Sequence, residues 1–244
     1  MVKFLIFSII TFWISLSFSC QKQSTSSIQV QRCMENLTHK ERNYFIATGF
    51  FNYKSVSKWK SNIRIAIKGN DIRQDDRTTI DTLIHEVTKL IQPLKISYAE
   101  KTEDANVVFV LDKDMSNPTH AYGLVNPKLN FFNRNKIVYA EVLIFPTSSD
   151  AHRKRVIYHE MMHVLGLNHP KFLNQHFEVM NSILTTININ RYEDLNNYLE
   201  THHKFSELDK KMLRMLYSPC ISLGMGRTEL FKIIQNHDPQ VNNW

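Results

Sequence analysis

Apolar residues recur with two different periods along this 244-residue chain, and each period predicts its own kind of element. Between residues 78 and 91, Ile80, Leu83, Ile84, Val87, Leu90 and Ile91 fall at helical spacing, which predicts an amphipathic helix ended by Pro93. Ile63-Arg64-Ile65-Ala66-Ile67 alternates and predicts a strand, closed by the turn signal Gly69-Asn70-Asp71. Residues 94–98 predict a second strand. Residues 105–111 form a continuous run of β-branched and aromatic side chains that suits a central strand. Residues 136–145 predict another strong strand, and residues 122–125 a short one. Three further stretches read as helical: a lead-in over 36–58 carrying Tyr44, Phe45, Ile46, Phe50 and Phe51, a long helix over 151–166, and a C-terminal helix over 205–217. In the last, Ser206 and Asp209 form the capping pair, and Leu208, Met212, Leu213 and Leu216 the apolar face. This order predicts an α/β (α+β) class, a twisted mixed sheet backed by helices.

The N-terminus departs from both periods. Lys3 is followed by an apolar run over residues 4–16 and then by Ser17-Phe18-Ser19-Cys20, so residues 1–19 read as a secretory signal peptide. The last four residues resemble a bacterial lipobox. That resemblance implies lipidation of Cys20, a lipid-anchored tether over residues 20–35 and a place at a membrane facing the periplasm or cell surface, with plain secretion if Cys20 is not acylated. The remainder divides into one domain over 36–220 with its helical lead-in and an extension over 221–244. Composition changes this picture little. Apolar content of 43% and charged content of 22% are ordinary for a globular domain, and six glycines exclude a linker-rich or repetitive chain. The net charge of +7 is spread along the sequence without a base-reading module, which argues against nucleic acid. Arg153-Lys154-Arg155 is expected on the solvated face of a helix start.

The chemistry lies in residues 159–170, HEMMHVLGLNHP. His159 and His163, four apart on a helix, put both imidazoles on one face, close enough for one ion. Glu160 lies beside them, where it reaches a metal-bound water without ligating the metal. Gly166 supplies the φ > 0 turn that ends the helix and returns His169 to the ion. Three neutral imidazoles leave the fourth position of a tetrahedral zinc site to water, the form of a catalytic rather than a structural site.

This string matches the long zinc-binding consensus of the metzincin clan of metallopeptidases, which the chain resembles. Val179-Met180-Asn181 resembles the clan's Met-turn, with Met180 beneath the metal as packing rather than ligand. The tyrosine that some members carry two residues after this methionine is replaced by Ser182. The resemblance implies a metzincin-like catalytic domain with an antiparallel edge strand, an active-site helix and a C-terminal helix. Residues 136–145 would lie near the sheet edge and border the cleft, where an extended substrate adds as a strand. It further implies one catalytic Zn2+ and a monomeric zinc endopeptidase acting on extracytoplasmic proteins or peptides. The alternatives are a silent zinc-bearing binding protein and a cell-wall peptide amidase. Cys33 and Cys220 are expected to pair as a disulfide, the other reading being Cys33 as a thiolate that caps the zinc. His85 is not expected to bind metal, His202 and His203 are expected in solvent, and no ligand spacing supports an accessory ion at His120, His152 or His176.

Overall fold

The computed structural model describes residues 27–50, 54–115, 122–147, 149–170, 182–184 and 195–240. The elements, in chain order, are α1 (Ser27–Met34), α2 (His39–Thr48), β1 (Lys58–Trp59), β2 (Ile63–Lys68), α3 (Gln74–Leu90) and β3 (Ile96–Tyr98). They continue with β4 (Val107–Leu111), β5 (Gly123–Leu129), β6 (Lys136–Ile144), α4 (Asp150–Val164), α5 (Leu195–Thr201), α6 (Glu207–Tyr217) and α7 (Arg227–Gln235). The α/β class read from the sequence is the class observed. Strands β3, β2, β4 and β6 run parallel in that order, β1 pairs with the start of β6, and β5 lies antiparallel along β6.

Burial explains this order. Ile63 and Ile65 of β2, Val107, Phe109 and Leu111 of β4, and Ile137, Ala140, Val142 and Ile144 of β6 are all buried, as interior strands require. Strand β5 alternates half-buried with exposed positions, and its Pro127, which has no N–H to donate, is tolerated at an edge. The edge beside the site is therefore β5 and not residues 136–145, which lie one strand further in. Strand β5 is also longer than residues 122–125, because its polar and proline-bearing second half still pairs with β6 through a register shift after Lys128.

The folded unit extends past the expected boundaries at both ends. Residues 27–34, read as the end of a tether, form α1, with Val30 and Met34 in the core. Leu230, Phe231 and Ile234 of α7, read as part of a C-terminal extension, are buried too. Cys33 is bonded to Cys220 across 187 residues, which removes Cys33 as a metal-capping thiolate. Closing a loop of this length restricts the unfolded chain by about 5 kcal/mol in the loop-entropy account.

The basic cluster on α4 is a second correction. Arg153 is 1% and Arg155 5% exposed. The Arg153 guanidinium donates to Asp76 at 2.7 Å and to Asp71 at 2.9 Å, and Arg155 donates to the His202 carbonyl at 2.6 Å. Helix α4 packs against α3, α5, β5 and β6, so side chains that look like a solvated start are enclosed and paired.

Candidate metal centre

Helix α4 starts at Ser149, whose hydroxyl accepts the His152 amide. Its last turn is held from outside. The Trp59 indole donates to the Val164 carbonyl at 2.8 Å and the Tyr217 hydroxyl to the Leu165 carbonyl at 3.0 Å, which satisfies acceptors that a helix end leaves without partners. Gly166 then turns the chain with φ +102°, and a side chain there would run into the Ser57 carbonyl. Beyond it, the Asn168 amide donates to the Thr48 carbonyl at 2.8 Å and its side chain to the Phe50 carbonyl at 2.7 Å. The end of α2 thus fixes the return on which His169 rides.

The three histidines meet. His163 Nε2 lies 3.2 Å from Nε2 of His159 and 3.2 Å from Nε2 of His169, and among the described residues these three form the cluster able to hold an ion. Each Nδ1 faces a backbone carbonyl: His159 that of Ile183 at 2.8 Å, His163 that of Leu167 at 2.8 Å, His169 that of Leu184 at 3.0 Å. A carbonyl only accepts, so each ring carries its proton on Nδ1 and presents a bare Nε2. Three lone pairs converging at this distance repel one another unless a cation lies between them. Nitrogens bound at roughly 2.0–2.1 Å around a tetrahedral ion are separated by about 3.3 Å, close to what is observed.

Burial holds His159 well below the ordinary imidazole range and brings His163 down to about 4, with the neighbouring histidines adding to both. Both are therefore neutral, ligand-ready rings at physiological pH. The sign for stability follows. Between about 4 and 6.5 the unfolded chain binds protons at His163 that the folded chain does not. The contribution of this group to the stability of the metal-free protein is thus fully present above pH 6.5 and is lost as pH falls towards 4. In a Glu160→Gln variant, which lacks the opposing titration of the buried carboxyl, a urea midpoint that stays constant across this window would contradict the enclosed, neutral site.

Residues 182–184, which supply two of the three carbonyls, are held by a buried polar network. The Tyr44 hydroxyl donates to Ser182 Oγ at 2.6 Å, and Ser182 Oγ donates to Asp209 Oδ1 at 2.5 Å. The Ile183 amide donates to Asp209 Oδ2 at 3.1 Å, and this oxygen also receives the Ser206 amide at 2.8 Å and hydroxyl at 2.7 Å as the cap of α6. Burial raises the Asp209 carboxyl, and these donors pull it back down. The sequence identified Asp209 as a cap and Ser182 as a substitution; the convergence of both with Tyr44 behind the histidines carries no sequence signal.

Glu160, next to His159 on α4, is 5% exposed, and burial lifts its carboxyl to about 8. Gly123, the first residue of edge strand β5, lies directly against it. A Cβ at Gly123 would come within 2.6 Å of Glu160 Cγ and 2.7 Å of Cδ. Gly123→Ala is therefore expected to displace the carboxylate and to lower any activity that depends on Glu160 about ten- to a hundredfold, while the three histidines stay in place. A variant that matches the parent would show that Glu160 tolerates displacement.

The remaining candidates divide in two. Cys20 and the signal segment, Met180, His120 and His176 lie outside the described residues. Among the others, His85 is exposed, and His152 packs edge-on against Tyr122 with ring centroids 4.2 Å apart. His202 and His203, expected in solvent, are half-buried with Nδ1 on the Tyr198 and Leu199 carbonyls at the end of α5.

Two comparisons bear on this site. A family model described as "Protein of unknown function (DUF2927)" matches residues 35–236. No curated protein matches the chain.

Proposed function

The chain belongs to the DUF2927 family, whose function is unknown, so its activity must be argued from the site, and we propose that it is a zinc-dependent endopeptidase of metzincin type. The observation that carries this reading is the convergence of three bare Nε2 atoms, with the buried Glu160 next in sequence to His159 on the same helix. Neutral nitrogen donors in a three-ligand set suit zinc and leave one position open.

His159, His163 and His169 would hold the ion through Nε2. Zinc, when bound, lowers the pKa of a water from ~15.7 towards ~7 and polarises the substrate carbonyl. Glu160 accepts a proton from water as its oxygen adds to the carbonyl, then passes that proton to the departing amine as the C–N bond breaks. A base has to be ionised. Burial alone raises Glu160, and a dication nearby favours the carboxylate again. The carbonyls of Ile183, Leu167 and Leu184 keep the three rings in one tautomer throughout. A peptide in extended form is positioned by adding to the outer side of β5, whose first residue touches Glu160. The Cys33–Cys220 disulfide suits an oxidising compartment, in keeping with export and with action on proteins or peptides outside the cytoplasm.

The test is the metal content of the purified chain with its cleavage of casein before and after chelation. One zinc per chain, activity lost with the metal and regained with added zinc, is the expected outcome. A chain that retains no metal would sink the three-histidine site. A chain that holds zinc and cleaves no protein or peptide would leave only a binding protein.

A further inference from the structure

The tip of the β5–β6 hairpin combines features that a globular surface usually avoids. Phe131 and Phe132 are adjacent, 84% and 94% exposed, with ring centroids 5.4 Å apart and edge to face. Large apolar side chains scattered singly over a surface need no explanation, but two neighbouring phenylalanines this exposed at the end of a turn do.

The amides of Asn130, Phe132, Asn133, Asn135 and Lys136 are paired within the turn. Asn130 Oδ1 accepts the amides of Phe132 and Asn133, each at 3.0 Å. Asn133 Oδ1 accepts that of Asn135 at 3.2 Å. The Asn130 amide donates to the Lys136 carbonyl at 2.8 Å, and the Lys136 amide to the Asn133 carbonyl at 2.9 Å. Ser55 fixes the base of the turn through Asn135 Oδ1 at 2.6 Å. Amides already paired in this way are not stranded when the tip leaves water, which is the main cost of placing a loop in an apolar medium.

Charge completes the pattern. Lys128, Arg134 and Lys136 flank the two rings, and no acidic residue occurs between Asp114 and Glu141. Exposed Lys54 joins them, next in sequence to the Ser55 that holds the turn. Aromatic side chains at the apex with cations behind them match the order of an anionic bilayer, acyl region first and headgroups next.

We propose that this hairpin is a membrane-docking element that inserts Phe131 and Phe132 into an anionic lipid surface while Lys54, Lys128, Arg134 and Lys136 engage its headgroups. The inference rests on neither the peptidase reading nor acylation of Cys20. It complements acylation, because a weak second contact turns marginal anchoring into stable, oriented binding. It also orients the site: β5 leads from the hairpin back to Gly123 against Glu160, and the eight residue steps from Phe131, at roughly 3.3 Å each, hold Gly123 within about 26 Å of the inserted tip.

An N-terminal anchor would bring the chain to a bilayer whatever the hairpin does, so the readout is depth at the tip rather than binding. The full chain carries Phe132→Cys in a Cys20→Ser background, with the new thiol bearing a nitrobenzoxadiazole label and Cys33 and Cys220 left paired. On phosphatidylglycerol-containing vesicles the label is expected to shift to the blue and to be quenched by lipid-attached nitroxide. Adding Lys128→Glu, Arg134→Glu and Lys136→Glu is expected to weaken that insertion at least tenfold. A label that stays water-like on sedimented vesicles overturns the proposal. So does a blue shift that grows with protein concentration without lipid, which would assign the tip to a second copy. Insertion of equal depth into neutral phosphatidylcholine overturns the anionic assignment.

Discussion

Glu160→Gln is expected to keep one zinc per chain and to lose about a thousandfold of peptidase kcat/KM. A general base typically supplies 10²–10⁴-fold, and a thousandfold corresponds to about 4 kcal/mol of transition-state stabilisation. Glutamine has the shape of the residue it replaces, so it fits beside Gly123 and leaves the three histidines untouched. It lacks only the capacity to take a proton. A second readout separates this loss from damage to the fold. In the metal-free chain burial raises the Glu160 carboxyl from 4.5 to about 8. The stability this group contributes is therefore present below pH 4.5 and is lost as pH rises towards 8, where the unfolded chain ionises and the folded chain resists. Glutamine removes that penalty, so the metal-free variant should be at least as stable as the parent at pH 7. A variant that unfolds more easily, or fails to bind zinc, would make its inactivity structural and remove the base assignment.

The parts of this molecule that were legible in the sequence are those written in short-range pattern. The burial that makes β2 and β4 interior strands is visible as apolar runs at 63–67 and 105–111. The amphipathic face of α3 is visible as Ile80, Leu83, Val87 and Leu90, all buried. The metal-binding cluster was legible because helical geometry and one glycine turn fix the relation of His159, His163 and His169 within eleven residues. What escaped depends on distant contacts. Strand β5 is half polar and contains Pro127, so its pairing with β6 is set by the hairpin and not by propensity. Arg153 looks solvated until α3 brings Asp76 to it. The supports of the site come from Tyr44, Thr48, Phe50, Trp59 and Tyr217, between 52 and 138 residues from the groups they hold. No local pattern announces such a support, because its partner appears only when the chain has folded.

The most consequential of these supports is Asp209, and Asp209→Asn is expected to weaken zinc binding about ten- to a hundredfold while lowering stability by about 2–4 kcal/mol. The side chain is fully enclosed, and every contact it makes in the network is as an acceptor: Ser182 Oγ on one oxygen, the Ile183 amide and both Ser206 donors on the other. An amide offers one acceptor oxygen and one NH2 group: with the NH2 towards the Ile183 and Ser206 amides donor meets donor, and with it towards Ser182 that hydroxyl loses its acceptor and must take a third donor beside the Tyr44 hydroxyl and the Leu184 amide, in a place water does not reach. The segment that yields is 182–184, whose Ile183 and Leu184 carbonyls set the proton on His159 and His169. Once those carbonyls move, the rings lose the constraint that keeps Nε2 bare and aimed at the ion. Ser206→Ala separates this positioning role from general destabilisation. It removes the α6 cap, at about 1 kcal/mol, but leaves the bonds from Asp209 to Ser182 and Ile183 in place. Its zinc affinity should match the parent, and the Asp209 variant's should not. Equal affinity in both variants would mean that Asp209 stabilises the fold without reaching the metal. Equal losses in both would mean that the cap and the histidine supports act as one unit, and the assignment would then move from Asp209 to the whole start of α6.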